Sequence, residues 1–192
     1  MLVANTVRRY FFMQKREKTK KLIARIVFDA MMIAIYVVLA RFLVIPTPIV
    51  EISIISLPIL LCAKLFGIGD VLVIATIGSF LEQAVSPYGL MPTTPLWMAP
   101  IILMAAFAGV AFHLTRNSKR KLWTYVIIII SELILTFGNT VVLMLTGYVV
   151  FEMSFKWLIG LAAPRLINSG FRMLISCILL PTLVPPLKKI LK

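Results

Sequence analysis

Apolar residues dominate the chain in long blocks, and the polar residues gather between them. Six blocks stand out, at about residues 24–45, 52–68, 70–86, 96–115, 122–147 and 160–185. Each is near the length of about 20 apolar residues that an α-helix needs to cross a hydrocarbon core of about 30 Å. The pattern predicts an all-α integral membrane protein, a bundle of six transmembrane helices. The second and third blocks are short and nearly continuous, joined by LFGIGD at 65–70. Gly67 and Gly69 supply a permissive backbone for that tight connection.

The polar stretches carry the topology. The arm at 1–21 is basic throughout, with Arg8, Arg9, Lys15, Arg16, Lys18, Lys20 and Lys21. Four more basic residues crowd TRNSKRK at 115–121, Lys64 lies beside the second connection, and Lys188, Lys189 and Lys192 close the chain. The connections at 45–51 and 84–95 have no Lys or Arg, and 148–159 has one, Lys156. Basic and basic-poor connections alternate, which by the positive-inside rule predicts both termini in the cytoplasm. The arm shows no secretory cleavage pattern and reads as an amphipathic cytoplasmic lead-in. The organisation expected is one membrane domain over 1–192, with the arm at 1–21 and the bundle at 22–187.

Composition agrees. Of 192 residues, 61% are hydrophobic and the mean hydropathy is +1.02, whereas soluble domains run about 45–50% apolar. The net charge of +13 would suggest nucleic acid in a soluble protein. Here the cations sit in the arm and loops, where they set topology and meet the lipid bilayer's anionic headgroups, so no nucleic-acid partner is expected. Cys62 and Cys177 lie inside apolar runs without metal-ligand spacing and read as packing residues.

Chemistry is concentrated in few places. Residues 84–100, AVSPYGLMPTTPLWMAP, hold four prolines, no charge, Tyr88, Thr93, Thr94 and Trp97. The prolines stiffen the segment, and a stiff loop loses little entropy on closing over a ligand. It suits the cap of a small-molecule pocket; an interfacial turn with belt aromatics is the competing reading. Ionisable groups within spans are expensive and need a reason. Arg25 and Asp29, four apart, are expected to pair along the first helix. Arg41, Glu82 and Gln83 fall near outer span ends, Glu132 near the middle of the fifth span and Asn139 further out. Arg165, Asn168 and Arg172 share one face of the sixth. Together these predict an outward-facing cavity for an anionic, hydrogen-bonding solute, against internal pairing of Glu82 or Glu132 with Arg172. No phosphate loop or hydrolase or metalloprotease motif occurs, so an enzyme is not expected and no cofactor is expected in this chain. Ala30 and Ala34 form a small-xxx-small pair on the first helix, a face that lets another helix approach.

Four stretches, in this order, resemble the substrate-binding S-component of energy-coupling factor (ECF) vitamin transporters, in the folate/pantothenate-type branch. They are AMMIA at 30–34, ISIISLPILLCAKLFGIGDVLVIATIGSFLEQ at 52–83, SPYGLMPTTPLW at 86–97, and GNTVVLMLTGY at 138–148 followed by PRLINSGFRMLISCILLP at 164–181. The resemblance implies a six-helix bundle in a bacterial plasma membrane that binds a vitamin at its extracellular side. It implies partners: a transmembrane coupling subunit facing Ala30 and Ala34, and two ATPases that use ATP and Mg. The residues expected to bind it, from the loop and the polar groups of the spans, are Glu82, Gln83, Tyr88, Thr93, Thr94, Trp97, Asn139, Arg165, Asn168 and Arg172. The loop departs from the branch's more aromatic FPxGxYFPGF pattern, with Met91 and Thr93–Thr94 replacing parts of it. A smaller aliphatic acid suits fewer stacking faces, with Arg165 or Arg172 holding its carboxylate. Pantothenate is therefore the expected vitamin. Folate or a pyridine or pyrimidine vitamin is the alternative, and a structural membrane scaffold without ligand is the alternative of another class.

Overall fold

The computed structural model describes residues 2–42, 45–46, 51–52, 54–87, 89–116, 120–149, 159–160 and 162–190. Helix α1 runs over Leu2–Arg41, α2 over Ser56–Leu65, α3 over Ile68–Ala84, α4 over Thr94–Leu114, α5 over Leu122–Val149 and α6 over Ala162–Ile190. Between α1 and α2, β1 (Ile45–Pro46) pairs antiparallel with β2 (Glu51–Ile52).

Four of these helices contain stretches long and apolar enough to cross a membrane: Leu22–Arg41, Thr94–Leu114, Leu122–Tyr148 and Pro164–Lys189. The other two differ from the expectation of full-length spans. At 1.5 Å per residue, the 17 residues of α3 reach about 26 Å and the 10 residues of α2 only about 15 Å. The apolar run at 52–68 is therefore split. Its start is spent on β2, and helix begins at Ser56, with Pro58 in the first turn where its missing N–H does no harm. The arm also differs, because α1 continues unbroken from the basic segment into the apolar one.

The shortness of α2 has a packing rationale. Every residue from Ser56 to Ala63 is buried, and α2 touches α1, α3, α4 and α6. Backbone that does not span the hydrocarbon is tolerated at membrane depth where protein surrounds it. Around this centre α3 packs on α1 and α4, α4 on α5, and α5 on α6. The core joins Tyr36, Ile59, Leu60, Ile74, Met104, Ile128, Leu135 and Leu180, all fully buried. Outward faces stay apolar, as with Ile26, Val73, Leu103, Phe137 and Leu174, which is what lipid-facing positions require.

Contacts fix the two ends. At the arm end, Arg25 of α1 pairs with Asp70 of α3, and Lys64 Nζ donates to Thr124 Oγ1 of α5 at 3.0 Å. At the other end, the loop end, Arg41 meets Glu82 and Arg165 of α6 reaches the carbonyl of Asn139 on α5. Arg25 is thus bridged to α3, and the expected pairing with Asp29 on its own helix is corrected. Asp70, at the first turn of α3, presents the carboxylate across the interface, and Arg25 Nε donates to it at 2.7 Å.

Candidate functional site

The polar groups of the spans resolve into local networks at two depths. The deeper one sits at mid-bundle. Glu132 on α5 is fully buried and Arg172 on α6 is 7% exposed. Arg172 Nε lies 3.7 Å from Glu132 Oε2, and its Nη2 donates to Thr136 Oγ1 at 2.8 Å. The hydroxyl of Ser56 donates to Glu132 Oε1, and Ser176 donates to the same oxygen at 3.3 Å. Helical geometry sets this up. Glu132 and Thr136 are four apart on α5, and Arg172 and Ser176 four apart on α6, so each pair lies on one face. The first residue of the short helix α2 closes the network from a third side. A buried ion pair needs such extra hydrogen bonds to offset the desolvation of both charges. Arg172, one of the two residues expected to hold a ligand carboxylate, is engaged by Glu132 in the internal pairing that was the competing reading.

The second group lies toward the loop end. Tyr36 of α1 is fully buried, and its hydroxyl donates to Glu82 Oε2 of α3 at 3.2 Å. Arg41 Nη2 donates to the Glu82 carbonyl at 2.5 Å and lies 3.9 Å from Glu82 Oε1. Gly78 makes this possible, because a Cβ there would sit 3.0 Å from the Tyr36 ring. On the far side, Arg165 Nη1 donates to the Asn139 carbonyl at 3.2 Å. Asn168, one turn on, is buried at 8% exposed.

The loop between α3 and α4 is stapled to the start of α4. The Met91 N–H donates to Thr94 Oγ1 at 2.9 Å, and the Thr94 N–H returns to the Met91 carbonyl at 2.9 Å. Thr94 is buried and Thr93 and Trp97 half-buried. The Thr93 carbonyl accepts from Leu96 and Trp97 N–H groups. Gln83 is half-buried on the last turn of α3, its carbonyl accepting from Ser86 N–H at 3.1 Å. Tyr88 lies outside the described residues.

The structure therefore brings Glu82 together with Tyr36 and Arg41, and Arg165 with Asn139, at the loop end. It takes Arg172 out to a separate mid-bundle network. Tyr36, Ser56, Thr136 and Ser176 were missed by sequence reasoning. For Thr136 and Ser176 a signal was present, hydroxyls four residues from Glu132 and Arg172 within apolar runs, whereas Tyr36 and Ser56 meet their carboxylates only through the fold. Several buried polar atoms remain without a hydrogen bond among the described residues: Arg41 Nε, Ser131 Oγ and Ser169 Oγ. Such atoms are uncommon in folded proteins and mark places where a further polar partner would be accommodated.

The family model described as "ECF transporter, substrate-specific component" matches residues 24–184. The chain belongs to this family. Its role is that of a substrate-binding transport subunit of a multi-pass membrane protein class, and not that of an enzyme. Among solved structures, one described as "Crystal structure of FolT bound with folic acid" superposes with a TM-score of 0.61. It is 22% identical, and the match covers 82% of this chain and 90% of that one. At that identity the likeness establishes a shared fold. A comparison with curated proteins finds no match.

Proposed function

We propose that this chain is the vitamin-binding subunit of an ECF-type importer and that its ligand is folate or a close relative. The observation that carries the ligand class is the fold shared with a protein solved with folic acid. The preference for pantothenate rested on the few stacking faces of the loop, with Arg165 or Arg172 to hold the carboxylate, and of these two Arg172 is held by Glu132 and Thr136. The similar fold of a protein solved with folic acid supports the folate alternative instead. Arg165 remains at the loop end, bonded to the Asn139 carbonyl, and a bound carboxylate would compete well for such a donor.

In this reading Glu82, Gln83, Tyr88, Thr93, Thr94, Trp97, Asn139, Arg165 and Asn168 border the ligand, and Arg172 supports them by fixing α6 against α5. The chain passes between the two sides of the bilayer six times, with the short α2 enclosed by the other helices, and both termini face the cytoplasm. Ala30 and Ala34 face a transmembrane coupling subunit, with ATP and Mg used by two partner ATPases. The alternation of basic and basic-poor connections supports that orientation.

Native mass spectrometry of the purified chain, followed by titration with folic acid and pantothenate, tests the ligand. Folate retained or bound, with pantothenate displaced by washing, is the expected result. Tight pantothenate binding with no response to folate would restore the smaller acid. Binding to neither, nor to other vitamins, would favour a scaffold without ligand.

A further inference from the structure

A cavity of about 260 Å³ opens at the arm end, remote from the loop-end polar groups. Its wall carries Lys64 from α2, His113 and Arg116 from the end of α4, and Lys188 from α6. Phe66 and Phe112 line it as well, and among the described residues no Asp or Glu does. The contrast with the rest of the bundle is chemical. Arg25, Arg41 and Arg172 each face a carboxylate, Asp70, Glu82 and Glu132 respectively. In the cavity three side chains that are cationic at neutral pH converge with no carboxylate between them. Lys64 is half-buried there, its ammonium 4.6 Å above the Phe112 ring and hydrogen-bonded to Thr124.

Part of this cationic character answers the helix ends, because α2, α4 and α6 all present their C-terminal carbonyls at this level, and cations suit such ends. That accounts for basic residues near each terminus, but not for their convergence on one recess. Like charges brought together in a partly desolvated recess repel unless an anion joins them. We propose that the recess is an anion site for a phosphate group, with Lys64, Arg116 and Lys188 as its ligands. The source favoured by position is the headgroup of an anionic phospholipid. The recess lies where the apolar spans α4 and α6 end, and its Phe66 and Phe112 walls offer apolar surface to the glycerol end of a lipid while the cations take the phosphate.

The test uses the full chain in nanodiscs of equal phosphatidylglycerol and phosphatidylcholine, with retained lipid counted by native mass spectrometry. Phosphatidylglycerol should be retained over phosphatidylcholine. The Lys64→Gln/Lys188→Gln double variant should lose that preference by about tenfold or more, given the worth of each basic residue near anionic lipid. Lys121→Gln, an exposed cation outside the recess, should leave it unchanged. If the Lys64 change impairs folding, Arg116→Gln/Lys188→Gln alters two exposed residues and asks the same question. Inorganic phosphate added to phosphatidylcholine-only discs distinguishes the sources. A rise in melting temperature over chloride at equal ionic strength, absent in the double variant, assigns the site to soluble phosphate. Equal retention of both lipids together with no response to phosphate overturns the proposal, as does a lipid preference that the recess variants leave intact. The readouts do not involve the vitamin, so they stand whatever ligand the loop end takes.

Discussion

Arg172 shows how far a single residue can be read without its neighbours. Its place on the sixth helix and its sharing of a face with Arg165 and Asn168 were legible from spacing alone. Its partner was not, because the choice between a ligand and Glu132 depends on which faces of α5 and α6 meet. The same holds for Arg25, whose nearest acid in sequence is Asp29 but whose partner is Asp70 on another helix. The mid-bundle network makes a sharp prediction. Arg172→Ala leaves the fully buried Glu132 without its counter-charge, and breaking a buried pair in this way costs about 3–5 kcal/mol. The melting temperature of the purified chain should fall strongly. Removing both charges with Glu132→Gln/Arg172→Met should recover much of the loss. If the single and double variants melt alike, the pair is not the stabilising unit. If Arg172→Ala melts like the parent but abolishes vitamin binding, Arg172 acts on the ligand directly.

At the scale of elements, the apolar blocks located all six helices, but α2 and to a lesser degree α3 fall short of full spans, and α1 begins at Leu2, well before its block. A continuous apolar run does not distinguish a helix that crosses lipid from a short one enclosed by protein, and the isolated serines of ISIISLPILLCAKLF, Ser53 and Ser56, do not by themselves mark where strand pairing stops. Helices α4 and α5 approach closely at Gly138. A Cβ on Gly138 would lie 2.8 Å from Pro100 Cβ and 3.3 Å from Pro100 Cα, a rigid neighbour with no rotamer to yield. Gly138→Ala gains about 1 kcal/mol of helix propensity, but overpacking costs about 1–3 kcal/mol. The net expectation is destabilisation of about 1 kcal/mol. Gly170 on α6 is the control, since a Cβ there meets nothing within 4 Å and Gly170→Ala should raise or preserve the melting temperature. Equal stabilisation at both positions would mean that α4 and α5 sit further apart than described.

For the whole molecule, the loop-end and arm-end contacts lie at opposite ends, and the proposed orientation, with the basic end in the cytoplasm, can be tested directly. A single cysteine at Ser86, in a background with Cys62 and Cys177 replaced, should react in intact cells with a membrane-impermeant maleimide. One at Lys121 should react only after the membrane is opened. The reverse pattern would invert the bundle and place the basic recess outside. That orientation also decides what α1 can do. Ala30 and Ala34 are exposed on α1, in a helix whose neighbouring Ile26, Val27, Met31, Ile35 and Val38 are exposed too, while Phe28, Met32 and Tyr36 on the other face are buried. Lipid alone would fill such a face, and small residues would gain nothing there. Close helix approach is what small-xxx-small pairs permit. Ala30→Trp and Ala34→Trp should therefore leave vitamin affinity of the isolated chain within about twofold, under 0.5 kcal/mol by the usual conversion, because neither residue supports the loop-end groups. In cells that carry the coupling subunit and ATPases, the same variants should cut uptake by at least about tenfold, the effect of losing roughly 1.4 kcal/mol of helix packing. Uptake at the parent level would show that this face meets lipid only. Loss of vitamin binding by the isolated variants would show that α1 turns these alanines toward the bundle, against the burial pattern of Phe28, Met32 and Tyr36.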